Sequence, residues 1–321
     1  MKFNISLFTL LAVCLSLGSC NTIYDDLKDC PQGVDVRFFS KSTCQRDTTY
    51  LSKVDKLHLF AFDANDKLCH VTVKENVSLS RDYNLHMPLE TGLYSIISWC
   101  GINDSFDIAS LKKGETTKDE LFFMLKSSSG EAASLDNHQV YQGECFDVNI
   151  KDSKSVGSAF EKAAVNLREQ TNRINVELIL DETIHETASL DDFSVSIISG
   201  NGAICIDGTI PEVPQILEYP CKLNYKDYSV KSSFTVLDLV VGNKNLLVVK
   251  NHKTGKELFR GDLLENLILK NEALNLDCQN DFDIKFVIRD DCVDCETYIS
   301  WTISVNNWII YSYDTELGTD Y

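Results

Sequence analysis

Val54-Asp55-Lys56-Leu57-His58-Leu59-Phe60-Ala61-Phe62-Asp63-Ala64-Asn65-Asp66-Lys67-Leu68-Cys69-His70-Val71-Thr72-Val73 is the stretch that decides the fold class of this chain. Leu57, Leu59 and Ala61 alternate with Lys56, His58 and Phe60, a period of two that sends successive side chains to opposite faces of a strand. Asp63-Ala64-Asn65-Asp66 has turn chemistry, because short carboxylate and amide side chains bond to their own backbone. Alternation resumes at Leu68, so the segment predicts a β-hairpin. Asp63, Asn65 and Asp66 also carry oxygen ligands of the kind a calcium loop uses. An EF-hand loop needs a glycine at its sixth place and a distal glutamate, however, and Lys67 stands at a ligand position, so turn formation is the better reading.

Working outward, the same style continues on both sides. Strand pattern begins at Val34. Tyr83 to Leu89 runs through Glu90-Thr91-Gly92 into Leu93-Tyr94-Ser95-Ile96-Ile97-Ser98-Trp99, which predicts a second strand pair. Between Gly101 and Asn137 the alternation fades into a mainly polar insertion, with one helical turn near Leu121 and a loop at Ser127-Ser128-Ser129-Gly130. Pattern returns from Val140 to Ile150. The polar, small-residue stretch Lys151 to Ser158 is the best linker in the chain. Beyond it, Ile174, Val176, Leu178 and Leu180 alternate with Asn175, Glu177 and Ile179 inside a segment from Ala164 to Leu180, which predicts a long strand. Further strands are expected at Phe193–Ile198, Ala203–Ile206, Ser232–Val240, Leu246–Val249, Phe282–Ile288 and Tyr298–Val305. Short strands between Gly, Pro and Asn turns, with no regular helix among them, predict an all-β protein of antiparallel β-sandwiches.

The N-terminus reads as an export signal. An apolar run from Ile5 to Leu17 follows Lys2 and is too short to span a bilayer, and small residues precede Cys20 in Leu17-Gly18-Ser19-Cys20. The pattern resembles a bacterial lipoprotein box, and the resemblance implies that Cys20 becomes the new amino terminus and carries acyl chains, palmitate among them, so Cys20 is the expected lipidation site. The alternative is an ordinary secretory signal ending near a cysteine. Residues Asn21 to Asp29 then form a short acidic leader. No later stretch is long and apolar enough to cross a membrane. The expected divisions are 1–19 signal peptide, 20–32 lipidated leader, 33–157 N-terminal β-sandwich domain and 158–321 C-terminal β-sandwich domain. A chain of 321 residues with 44% hydrophobic content suits two such cores. Its net charge of -18 would repel phosphate backbones, so no nucleic-acid partner is expected.

Candidate sites are few. Twelve cysteines fit an oxidising compartment. Apart from Cys14 in the signal and Cys20, their spacing is mostly irregular, and they serve either as disulfides or as buried small hydrophobes. Cys292-Val293-Asp294-Cys295 has the spacing of a redox dithiol or half a zinc site. The first use goes with a βαβ pattern and the second needs two more ligands, so a structural disulfide between Cys292 and Cys295, or idle loop thiols, is the expectation. Six histidines lack metal spacing. His58 and His70 come near each other across the first hairpin, where they would make a two-ligand surface site or, more simply, cross-strand neighbours. No G-x-S-x-G, H-E-x-x-H or phosphate-cradling loop is present, so no catalytic, cofactor-binding or metal residues are expected. The closing run Trp308-Ile309-Ile310-Tyr311-Ser312-Tyr313 has strong strand character. It predicts a subunit-contact strand (Trp308, Ile309, Ile310, Tyr311, Tyr313) whose edge pairs with another chain, or alternatively an aromatic platform for a glycan.

Together these residues resemble a known family. Cys20, Ile23-Tyr24-Asp25-Asp26-Leu27, Asp29-Cys30-Pro31 and Val54 to Asp63 are similar to the FimB-type fimbrillin-anchor lipoproteins (type V pilus anchors) of Gram-negative gut and oral anaerobes. Tyr94 to Trp99 resembles that family's strand ending in tryptophan, Thr171-Asn172-Arg173-Ile174 its entry into the second domain, and Ile303-Ser304-Val305-Asn306-Asn307-Trp308 its closing strand. Cys100, where a small residue is more usual, and Cys292 to Cys295 depart from the pattern. The resemblance implies two transthyretin-like sandwiches in tandem. It also implies an outer-membrane lipoprotein at the cell surface that holds fimbrial shaft subunits by strand complementation, fixes the pilus at its base and limits its length. A surface glycan-binding lipoprotein is the alternative.

Overall fold

The computed structural model describes residues 31–152, 159–290 and 298–313, and within them the chain forms 23 strands and four single-turn 3-10 helices. Two sheets build the N-terminal half. One runs in the order β11 (Ala159–Asn166), β1 (Gln32–Phe39), β4 (Leu85–Pro88). The other runs β12 (Arg168–Glu169), β10 (Tyr141–Ile150), β5 (Gly92–Cys100), β2 (Val54–Asp63), β3 (Leu68–Val77). Between them Val34, Val36 and Phe38 of β1 meet Leu57, Leu59 and Ala61 of β2 and Ile96 of β5 in a first core. The hairpin read from Val54 onward is β2 and β3, paired antiparallel from Val54↔Val77 to Phe62↔Leu68. At its turn Asp63 Oδ1 accepts from the backbone N–H of Asn65 (2.8 Å) and Lys67 (3.0 Å), and Asp66 takes φ 57. These are the local bonds expected of turn residues.

The second half is a larger sandwich. One sheet runs β17 (Cys221–Lys226), β18 (Ser229–Leu237), β13 (Thr171–Leu180), β21 (Asp281–Asp290), β22 (Tyr298–Val305), β23 (Trp308–Ser312). The other runs β20 (Glu257–Asp262), β19 (Asn245–Asn251), β14 (Phe193–Ser199), β16 (Leu217–Tyr219), β9 (Glu131–Ala132), β8 (Ser127–Ser128). A three-stranded sheet of β15 (Ala203–Cys205), β7 (Phe122–Leu125) and β6 (Phe106–Ile108) lies between the halves. Ile174, Val176 and Leu178 alternate inward along β13, and Phe282, Ile284 and Phe286 do so beside them on β21. Phe60, Phe62, Ile97 and Trp99, on the opposite faces of β2 and β5 from the first core, belong to this second core as well. The two central strands of that sheet, β2 and β5, are therefore buried on both faces, which is why Phe60 and His58 occupy places that plain alternation gives to solvent.

Three sequence expectations are revised. The runs on either side of Glu90-Thr91-Gly92 do not form a hairpin: β4 bonds to β1 in one sheet and β5 to β2 and β10 in the other. Two apolar runs joined by a turn meet equally well across a core as side by side. Nor is Ala164 to Leu180 one strand. It breaks into β11, β12 and β13, and β11 lies parallel to β1 from Gln32↔Ala159 to Phe39↔Asn166. Ala163, Val165 and Leu167 thereby enter the first core, beyond the linker at 151–158, most of which lies outside the described residues. The sheets are finally not purely antiparallel, since β1/β11, β13/β21 and β16/β9 run parallel.

The supposed polar insertion is structural. Its one helical turn is Lys118–Glu120, capped by Thr117, and Phe106, Leu121, Phe123 and Leu125 around it are buried. Strand β7 pairs with β15, and β9 with β16, so the insertion from the first half is stitched into the second. Trp99 adds a polar tie, donating from Nε1 to the Ile206 carbonyl at 2.7 Å in the buried interior. At the same junction the Glu169 carboxylate accepts from Gln139 Nε2 (3.1 Å), Thr171 Oγ1 (2.8 Å) and Asn280 Nδ2 (3.0 Å) and pairs with Arg173, whose guanidinium also reaches Asp281 at 2.9 Å. A disulfide between Cys44 and Cys278, 234 positions apart, links the loop after β1 to the loop before β21.

Candidate docking site

The closing strand is held by a tight turn. Asn306 (φ 48) and Asn307 (φ 64) both take the left-handed conformation that a two-residue hairpin of this twist needs, and β22 and β23 pair from Val305↔Trp308 to Thr302↔Ser312. Asn306 Oδ1 also accepts from the Asp283 backbone N–H at 2.7 Å, which fixes the turn against β21. Ile310 and Tyr311 lean onto the core, while Trp308 (56%) and Ile309 (63%) stand in solvent. Strand β23 is the last strand of its sheet, and β20 is the last of the facing sheet on the same side.

Between these two edges the sandwich is open. A cavity of about 450 Å³ is lined by Leu258, Phe259, Leu267, Ile303, Ile310 and Tyr311, with Lys256, Glu257 and Lys270 among its polar walls. Ser300 Oγ, donating to the Leu258 carbonyl at 3.2 Å, ties the two sheets below the opening. An extended segment laid along either edge would find main-chain hydrogen bonds, and its alternate side chains would enter the apolar seam. Four of the five residues of the predicted contact strand thus meet at one place: Ile310, Tyr311 and Tyr313 line the seam, and Ile309 stands beside it. The β20 wall, Leu258 and Phe259, went unread in the sequence, because Glu257 to Asp262 mixes charge and apolar residues without clean alternation.

The other candidates resolve as follows. Tyr313 stacks tilted on Trp301 (4.9 Å between centroids) with the Arg289 guanidinium 4.4 Å from the Trp301 ring, and Trp308 joins none of the ring pairs among the described residues. These aromatics do not make one flat platform. His58 faces Val73 across the hairpin and His70 faces Ala61, so the two are not direct cross-strand partners. His58 is buried and stacks on Phe60, and burial, with Lys56 nearby, lowers its pKa to about 4. Among the described residues no group of three or more His, Cys, Asp or Glu is arranged to hold a metal ion. Burial pushes the Cys100 thiol up to about 12, as suits a cysteine that packs rather than reacts. Cys20, Cys292 and Cys295 lie outside the described residues. No helix among the described residues is long and apolar enough to cross a membrane.

Tandem sandwiches that end in two facing sheet edges over an apolar seam define an all-β protein with a candidate strand-docking edge. The model of the fimbrillin-A associated anchor proteins Mfa1 and Mfa2 matches residues 27–314, and the chain belongs to that family. It is 34% identical to the minor fimbrium anchoring subunit Mfa2 of Porphyromonas gingivalis over 98% of this chain and 97% of that one. The crystal structure of the fimbrial anchor protein Mfa2 from the same organism superimposes with a TM-score of 0.79, covering 88% of this chain and 100% of that one. A Bacteroides thetaiotaomicron structure named for polysaccharide binding shares the fold, with a TM-score of 0.71 at 24% identity, over 87% of this chain and 97% of that one.

Proposed function

We propose that the chain is the membrane-held base of a fimbria. Cys20 carries the lipid and retains the protein at the outer membrane, facing the cell surface. A shaft subunit inserts an extended segment into the seam between β20 and β23 and so completes the sandwich. Occupying that seam ends further addition at the base, which would limit fimbrial length. The observation that carries the docking half of this reading is the apolar cavity lined by Leu258, Phe259 and Ile310 between the outermost strands of two facing sheets. Membership of the anchor family, and the 34% identity to a minor fimbrium anchoring subunit, support it. The test is co-purification from the native membranes. Wild-type protein should bring down shaft subunits and take up labelled fatty acid; Ile310→Asp should keep the label and lose the shaft, and Cys20→Ala should lose the label. Shaft recovery unchanged in Ile310→Asp would exclude the seam, and label persisting in Cys20→Ala would exclude the anchor.

A further inference from the structure

We infer that the Cys44–Cys278 disulfide is a load path, carrying tension from the N-terminal tether to the docking edge past the body of the protein. This rests on the proposed function only for the two points at which the chain is held. Cys44 follows the end of β1 at Phe39 within five residues, and Cys278 precedes the start of β21 at Asp281 by three. Strand β21 lies in the middle of its sheet, bonded to β13 on one side and to β22 on the other, and β22 bonds to β23. A pull on β1 therefore crosses one covalent bridge into β21. It then spreads sideways through the Ile284↔Val305 and Ile303↔Tyr311 ladders to the seam.

Without the bridge, the same pull is carried into the second half only by the hydrogen bonds of the parallel β1/β11 ladder, from Gln32↔Ala159 to Phe39↔Asn166, and onward through β12 into β13. Once β1 parts from β11 and β4, the β2/β3 hairpin is loaded at its open end, Val54↔Val77, where antiparallel hydrogen bonds break pair by pair. Strand β21, flanked by β13 from Asp281 to Ile288 and by β22 from Ile284 to Asp290, yields only when many bonds break together. Weaker contacts brace the bridge: the Lys41 N–H donates to Asn166 Oδ1 at 2.9 Å, Asn166 Nδ2 donates to the Lys41 carbonyl at 3.0 Å, and Arg168 pairs with Asp277 at 3.2 Å. These tie both loops to the Asn166–Arg168 segment at rest. The covalent bond holds them under force.

Single-molecule pulling on the full mature chain, with handles at its two ends, tests the inference. Compared with the Cys44→Ser/Cys278→Ser double variant, wild type should stop about 800 Å short in extension, since 234 residues stay locked at roughly 3.4 Å each. It should also bear at least twofold more force before its first large extension. Wild type treated with dithiothreitol should behave as the double variant does, which guards against a variant that misfolds. Equal rupture force in bridged and unbridged chains would overturn the load path, and so would equal extension. No shaft subunit is needed for this measurement, so its result is independent of the co-purification that tests docking.

Discussion

Acid should act on this fold through two buried groups of opposite sign, His58 and Asp238. His58 is 6% exposed, and burial lowers its pKa from 6.5 to about 4, so charging it costs more in the fold than in the unfolded chain. Its stability contribution is complete above pH 6.5 and is lost as pH falls toward 4. A displacement of that size corresponds to roughly 3 kcal/mol. Asp238, whose side chain is 19% exposed, is raised by burial from 3.8 to about 6, with Arg168 at 3.8 Å only partly offsetting the burial. Its contribution is complete below pH 3.8 and is lost as pH rises through 6, again by roughly 3 kcal/mol. In wild type the two trends oppose each other across the same window. Urea unfolding of wild type, His58→Phe and Asp238→Asn at pH 7 and pH 4.5 separates them. On acidification His58→Phe should gain about 2 kcal/mol relative to wild type's own change, and Asp238→Asn should lose about 2. All other carboxylates are common to the three proteins and cancel. If both variants track wild type within about 0.5 kcal/mol, the assignment of these two buried groups is wrong.

Other expectations are as specific. Arg173→Ala leaves the buried Glu169 carboxylate uncompensated and should cost on the order of 3 kcal/mol, read by denaturant midpoint, whereas exposed Lys53→Ala should be neutral. Gly143→Val drives a side chain into the Asn166 backbone carbonyl where β10 passes β11 and should lower the thermal midpoint or abolish soluble expression. Trp99→Phe strands the Ile206 carbonyl and should destabilise by about 1–3 kcal/mol, a loss that calorimetry would detect. The Cys44→Ser/Cys278→Ser chain should unfold with up to about 5 kcal/mol less stability by chain entropy alone, and an unchanged urea midpoint would contradict that.

Much of the fold was legible because burial and strand period coincide. The alternation Ile174, Val176, Leu178 reports a strand with one face in a core, and Asp63-Ala64-Asn65-Asp66 reports the turn of the first hairpin through side chains that bond to their own backbone. Where two cores share a sheet, the period misleads: Phe60 and Leu59 are both buried, so β2 cannot say which sheet faces which side. Strands β6 to β9 were hidden because two to four residues are too few to show a period, and partners such as β15 and β16 are distant in sequence. At the docking site, Trp308 to Tyr311 could be read as a strand from composition. The seam itself could not, because it exists only where β20 comes to lie opposite β23. Cys44 and Cys278 carry no spacing signal, since loop closure over 234 residues is a property of the tertiary fold.

The stitching of β7 to β15 and of β9 to β16 has a practical outcome for anyone dividing this gene. Neither half is a self-sufficient module. An N-terminal fragment would expose Phe123 and Leu125 to water, and a C-terminal fragment would leave β15 and the end of β16 unsatisfied. Heat or urea should therefore melt both sandwiches in one transition, and recombination between relatives should be tolerated poorly at the linker.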